Sequence, residues 1–143
     1  MDSFLNNEKL QELRQLLRNR YRNWPIDTPS PPSDQHYQQE DAFMLRLKET
    51  IESNMGNPDF GTLELCKMML ISRTHLHMKV KALTNHSTSH VIRTLRLHKA
   101  RKLLESAQFN VNEVAYEVGF KDPSYFTRRF KEEFGVTPGS LVK

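Results

Sequence analysis

One stretch of this sequence is written twice. Leu65-Cys66, Met69 and Ile71 stand 49 residues before Val114-Ala115, Val118 and Phe120, and after one inserted residue Ser72, Leu76, Val80 and Asn85 stand 50 before Asp122, Phe126, Phe130 and Gly135. Such self-similarity means that one supersecondary unit is used twice. Within each copy the apolar residues recur three and four apart instead of alternating, so the unit is a pair of short helices, not a pair of strands. Thr62 and Ser72 are placed to cap the two helices of the first copy. In the second copy Gly119 marks the turn, and Asp122-Pro123 opens the next helix with a capping side chain and a residue that needs no amide partner. Phe126, Phe130 and Phe134 follow four apart before Gly135 ends the run. The spacing predicts a helix-turn-helix over about 62–84 and another over about 111–134, with a long helix over about 89–106 between them burying Ile92, Leu95, Ala100, Leu103, Leu104 and Ala107.

Upstream the pattern is different. Leu5, Leu10, Leu13, Leu16, Leu17 and Tyr21 mark an amphipathic helix within residues 1–23, and Arg14, Arg18, Arg20 and Arg22 near its end suit the helix dipole. Residues 24–39 hold Pro25, Pro29, Pro31 and Pro32 among Ser, Asp and Gln, a composition that reads as a linker expected to decouple the first helix from the rest of the chain. From about Glu40 to Met55 the residues Phe43, Leu47, Ile51 and Met55 recur every four, until Gly56-Asn57-Pro58 stops the helix. The expected architecture is all-α: two helix-turn-helix subdomains joined by a long linker helix over residues 40–143, preceded by an N-terminal helix and a Pro-rich linker. With 143 residues, 37% of them hydrophobic, a second large domain is excluded, the core is thin and no large enzyme cleft is expected. Cys66 stands alone, so neither a disulfide nor a Cys-rich zinc site is expected. No apolar run approaches the roughly 18 residues of a membrane helix, and a cytoplasmic protein without membrane contact or cofactor is expected.

Charge supplies the function. Lys and Arg number 21 against 17 Asp and Glu, and the excess is concentrated. Between Glu64 and Glu105 lie forty residues without an acid, holding nine Lys and Arg and five of the six histidines. A merely solvated helix face mixes signs; a face emptied of acids fits phosphate contact and counterion release. On the first unit's second helix Arg73, Thr74, His75 and His77 form an exposed face, with Lys79 and Lys81 beyond. Ser124, Thr127 and Arg128 hold the equivalent face of the second unit, with Lys121 and Lys131 placed for phosphates.

The run EVAYEVGFKDPSYFTRRFKEEFGVTP, from Glu113 to Pro138, closely resembles the second helix-turn-helix signature of the AraC/XylS family of bacterial transcription regulators. The first unit, Leu65 to Leu83, and the long helix with Arg96, Ala100, Leu103 and Leu104 are also similar to that family. Residues 1–40 resemble the last receiver helix and linker of two-component response regulators. The resemblance implies a DNA-binding transcription regulator, neither enzyme nor metalloprotein, whose two second helices enter successive major-groove segments of duplex DNA. It implies base-facing side chains at Thr74, His77 and Met78 and at Ser124, Thr127 and Arg128, with Tyr125 and Arg96 in the same interface. RNA polymerase and a second copy, joined through upstream regions, are the further expected partners. Departures from the family pattern are Leu70 where Gly is common, Cys66 where Ala is usual, Asn85 for a Gly, and Met78 where Arg is frequent.

Two rival readings use the same residues. A protein-interaction module would pair the first helix with its copy and dock the basic domain on an acidic protein; salt-dependent binding to duplex DNA separates that from a DNA reader. A metal or catalytic site would need His75, His77, His86, His90 and His98 with Cys66 to converge. His75 and His77, two apart on a helix, point away from each other, and only His86 and His90 have four-residue spacing.

Overall fold

A computed structural model describes residues 7–21 and 37–142. Helix α1 (Asn7–Arg20) is followed by α2 (Gln38–Asn54), α3 (Thr62–Met69), α4 (Arg73–Thr84), α5 (Thr88–Glu105), α6 (Val111–Glu117), α7 (Pro123–Phe134) and a closing 3₁₀ turn, Pro138–Leu141. There is no strand among the described residues. The fold is the expected all-α one, with the long α5 between α3–α4 and α6–α7. Most of the Pro-rich segment 24–39 lies outside the described residues.

Two separate apolar clusters hold the molecule together, and the boundary between them falls inside α5. Val91, Ile92 and Leu95 join the first cluster with Met44, Leu47, Ile51, Leu65, Leu76 and Val80. Leu97, Ala100 and Leu104 join the second with Val114, Ala115, Val118, Phe126 and Phe130. The helix is thus a wall shared by both clusters, each half burying an apolar face. Each fully buried Leu or Phe is worth about 1.5–3 kcal/mol relative to exposure. The Phe ladder of α7 forms as its spacing predicts: Phe126 and Phe130 stand 5.7 Å apart between ring centres, and Phe130 and Phe134 4.6 Å.

Three local expectations are corrected. The N-cap of α3 is Gly61, whose amide donates to Glu64 Oε1 at 3.0 Å, so Thr62 is the first helical residue. Ala107 is exposed and left-handed, φ 61°, because α5 stops at Glu105 and the chain turns there. The third correction is larger: the first helix is not decoupled. Tyr21, which ends α1, is 2% exposed within the first cluster, and Leu17 packs on that cluster. The Tyr21 hydroxyl donates to Asp41 Oδ1 at 2.6 Å, and Arg20 Nε donates to the same carboxylate at 2.9 Å while a second guanidinium nitrogen takes its other oxygen. Proline content in a linker governs the linker, not the affinity of the helix before it for a neighbouring core.

Candidate nucleic-acid interface

The second helices of the two units, α4 and α7, are built alike. At α4, the Ser72 hydroxyl accepts from the His75 amide at 3.1 Å. At α7, Asp122 Oδ1 accepts from the Ser124 amide at 2.9 Å, with Pro123 in the first helical position. Both caps satisfy amides that helix geometry leaves orphaned, and so fix where each helix begins. Both helices end on a left-handed residue, Asn85 (φ 64°) and Gly135 (φ 76°). With start and stop fixed, equivalent positions share a face. Thr74, His77, Met78 and Lys81 follow i, i+3, i+4, i+7 on α4, and Ser124, Thr127, Arg128 and Lys131 do so on α7. Thr127 is half-buried and the other seven are exposed; Arg73 and His75 are exposed beside the first set.

Charge on these faces is one-sided. Helix α4 carries no acid, and the acids of α7 are engaged elsewhere: Glu132 pairs with Arg129 at 3.0 Å, and Glu133 stands 3.4 Å from His98 on α5. Tyr125 is half-buried against Phe120, its hydroxyl accepts from Arg129 Nε at 3.1 Å, and Arg128 lies over its ring at 5.4 Å. Tyr125 therefore steers two arginines. Between the two units a cleft of about 480 Å³ is lined by Gly61, Thr62, Ser89, Arg93, Lys121, Tyr125 and Arg128, so the second recognition helix forms one of its walls.

Not every expected site residue lies free on this surface. Arg96 Nε donates to the Met55 carbonyl at 3.2 Å, and its terminal nitrogen donates to Asn57 and Phe60 carbonyls at 3.0 and 3.1 Å. Burial lowers its pKa from the ordinary guanidinium value. Its hydrogen bonds are spent on the loop between α2 and α3, and its role is to seat the second unit's turn against the first. Lys79 is turned onto the Phe43 ring at 4.7 Å, on the side of α4 that faces α2. Lys81 reaches the Asn85 carbonyl at 3.2 Å, and Lys121 pairs with Asp59 at 2.9 Å, both remaining exposed. The sequence reading overlooked Arg46, which donates to the Met69 carbonyl at 2.9 Å and stands 50 residues before Arg96.

The histidines do not converge. His86 and His90 stack with ring centres 4.2 Å apart, and burial, then the charges of His86 and Arg93, hold His90 below the ordinary imidazole pKa. No group of three or more metal-ligating side chains is found among the described residues.

Comparison with known proteins decides the lineage. Residues 65–143 match the helix-turn-helix domain family of AraC type. The chain belongs to the AraC-type helix-turn-helix family. As an AraC-type domain it is a DNA-binding element of transcription regulators. It is similar to a "Histidine kinase P4" of Formosa agariphila, 35% identical over 99 residues that make up 69% of this chain and 7% of the kinase. It is also similar to the transcriptional activator RhaR of Pectobacterium atrosepticum, 34% identical over 125 residues, 87% of this chain and 41% of that one. Among solved structures it resembles the C-terminal domain of AraT, a response regulator from Geobacillus stearothermophilus, with a TM-score of 0.62 and 26% identity over 67% of this chain and 79% of that one. The chain spans less than half the length of these curated relatives. No helix among the described residues is long and apolar enough to cross a membrane.

Proposed function

We propose that this AraC-type domain is the sequence-specific output element of a two-component signalling protein and reads two successive major-groove segments of duplex DNA. The observation that carries the reading is the matched register of α4 and α7: each is capped at the same point, and each sets the same four positions of its repeat along one face. In this reading Thr74, His77, Met78, Ser124, Thr127 and Arg128 meet base edges, with Arg73, His75 and Tyr125 alongside. Arg can take guanine O6 and N7 in a two-point grip, whereas Ser and Thr read either kind of base or the backbone. Lys81, Lys121 and Lys131 meet phosphates, which position the protein without conveying sequence. Helix α5, packed into both apolar clusters, fixes the separation, and the two segments are about one helical turn, or about 34 Å, apart. Support for the two-component setting comes from the likeness to a histidine kinase and to a response regulator's C-terminal domain. RNA polymerase and a second copy, held through upstream regions, complete the proposed set of partners.

Footprinting on sites selected from random duplex DNA tests this. Two protected segments about one turn apart are expected, with binding lost when half a turn of spacer is inserted between them. Protection of a single segment, or indifference to the spacer, would overturn the bipartite reading.

A further inference from the structure

Among the described residues the N-terminal helix packs on α4 and makes no comparable packing on α7, and the repeat explains why. Helix α1 packs on α4, and Leu17 with Phe43, Lys79, Ala82 and Leu83 lines a small cavity of about 230 Å³ between α1, α2 and α4. Fifty residues on, the positions of Lys79, Ala82 and Leu83 are held by Arg129, Glu132 and Glu133. The second unit thus has charges where the first has an apolar seat, and those charges are engaged with Tyr125, with each other and with His98. A helix cannot bury a leucine there without stranding two carboxylates.

The seat is also locked. Asp41, at the start of α2, takes both Arg20 and the buried Tyr21 hydroxyl, and Arg20 lies over the Tyr37 ring at 4.6 Å. A two-point guanidinium-carboxylate pair holds orientation as well as position. Because the lock joins α1 to α2, and α1 lies on α4, the end of α1 is held against the first recognition helix. The second recognition helix packs on α6 and the 3₁₀ turn, and α5 is the neighbour that both recognition helices share.

We propose that α1 is the input lever of the first helix-turn-helix: a change upstream that pulls on α1 alters how α4 is held and leaves α7 as it was. The two groove-reading helices then answer separately to the signal, one switched and one constant. This rests on the reading of α4 and α7 as groove readers, and the test is arranged so that the two ideas fail differently.

Hydrogen exchange and footprinting are compared for the whole 143-residue chain and three variants. Asp41→Arg sets like charges against each other at the lock, and Arg20→Asp added to it restores an opposite pair. Ala82→Glu puts into the seat the residue type that the second unit carries at Glu132, leaving the lock intact. Both single changes are expected to raise amide exchange in α1 and α4 by about tenfold with α7 unchanged, and the reciprocal pair to restore protection. On DNA, affinity at the segment read by α4 falls about tenfold, as when the competent fraction drops to about a tenth, and the other segment is unaffected. Faster exchange in α1 with α4 unchanged would overturn the proposal, and so would equal loss of protection in α4 and α7. If the wild-type chain gives no two-segment footprint, the DNA reading fails, while the exchange measurement still decides whether α1 holds α4.

Discussion

At the turn of the first unit Leu70 is left-handed, φ 54°, and 89% exposed; at the turn of the second, Gly119 holds φ 94° with no room beside it. A Cβ on Gly119 would come within 2.0 Å of the Met55 carbonyl oxygen and 2.9 Å of Arg96 Nε. The two turns share a backbone region and differ in surroundings. The second is pressed against the loop after α2 and the first faces solvent, so the same left-handed residue has to be glycine in one copy and is only strained in the other. A repeat therefore transmits backbone geometry faithfully, while the choice of side chain is made by whatever lies on the far side of each copy.

The change that bears hardest on this comparison is Gly119→Ala. It adds left-handed strain of about 1–2 kcal/mol to a steric overlap with backbone, and a loss of stability of about 3 kcal/mol or more is expected in urea unfolding. A smaller loss would mean that the loop at Met55 yields and that the two units are not pressed together.

Next in size is the pair of arginines. Arg96→Ala strands three carbonyls around a half-buried guanidinium and is expected to cost about 1–3 kcal/mol of stability. Arg46→Ala removes one bond at an exposed residue and costs about 1 kcal/mol or less. At temperatures where the variant is folded, Arg96→Ala leaves the salt dependence of DNA binding unchanged. A slope reduced by about one would return Arg96 to the phosphate contacts.

These positions show what a linear reading can and cannot reach. The helices, their caps at Ser72 and Asp122, and the left-handed ends at Asn85 and Gly135 are local matters of spacing and capping, and they were legible. The division into two cores was not: it falls between Leu95 and Leu97, and only the packing of each face reveals it. Arg96 looked like one more cation on a basic helix because hydrogen bonds across 36 to 41 residues leave no mark on periodicity. Tyr21 read as the tail of a separate helix for the same reason; its partner Asp41 stands twenty residues on, across the Pro-rich segment. The face of α4 could be picked out from composition, since it lies in a stretch emptied of acids, whereas the face of α7, on a helix that carries Glu132 and Glu133, followed only from its place in the repeat.

The faces themselves can be set against each other. Arg128 and Met78 hold equivalent positions, one with a charged fork and one with an apolar side chain. Replacing Arg128 by Ala is expected to cost about 1–3 kcal/mol of discrimination at one base pair of the second segment, measured as the affinity ratio between the best site and its single-base variants. Met78→Ala should change that ratio in the first segment far less, and Lys81→Ala should weaken all sequences alike while lowering the salt slope by about one. Equal effects of Arg128→Ala and Lys81→Ala on every sequence would remove Arg128 from base reading.

The smallest expected effect has the opposite sign. Leu70→Gly relieves left-handed strain of about 1–2 kcal/mol. Against it stands the greater freedom of glycine in the unfolded chain, about 0.5–1 kcal/mol. Little burial is given up, since Leu70 is 89% exposed and packs in neither cluster. The net expectation is a gain of about 0.5–1 kcal/mol, read as a higher urea midpoint with an unchanged slope. Leu70→Ala keeps the strained backbone and should gain nothing, so the pair separates backbone relief from removal of an exposed apolar side chain. If alanine stabilised as much as glycine, the left-handed turn would carry no strain in the first unit, and the contrast with Gly119 would rest on the steric contact with Met55 alone.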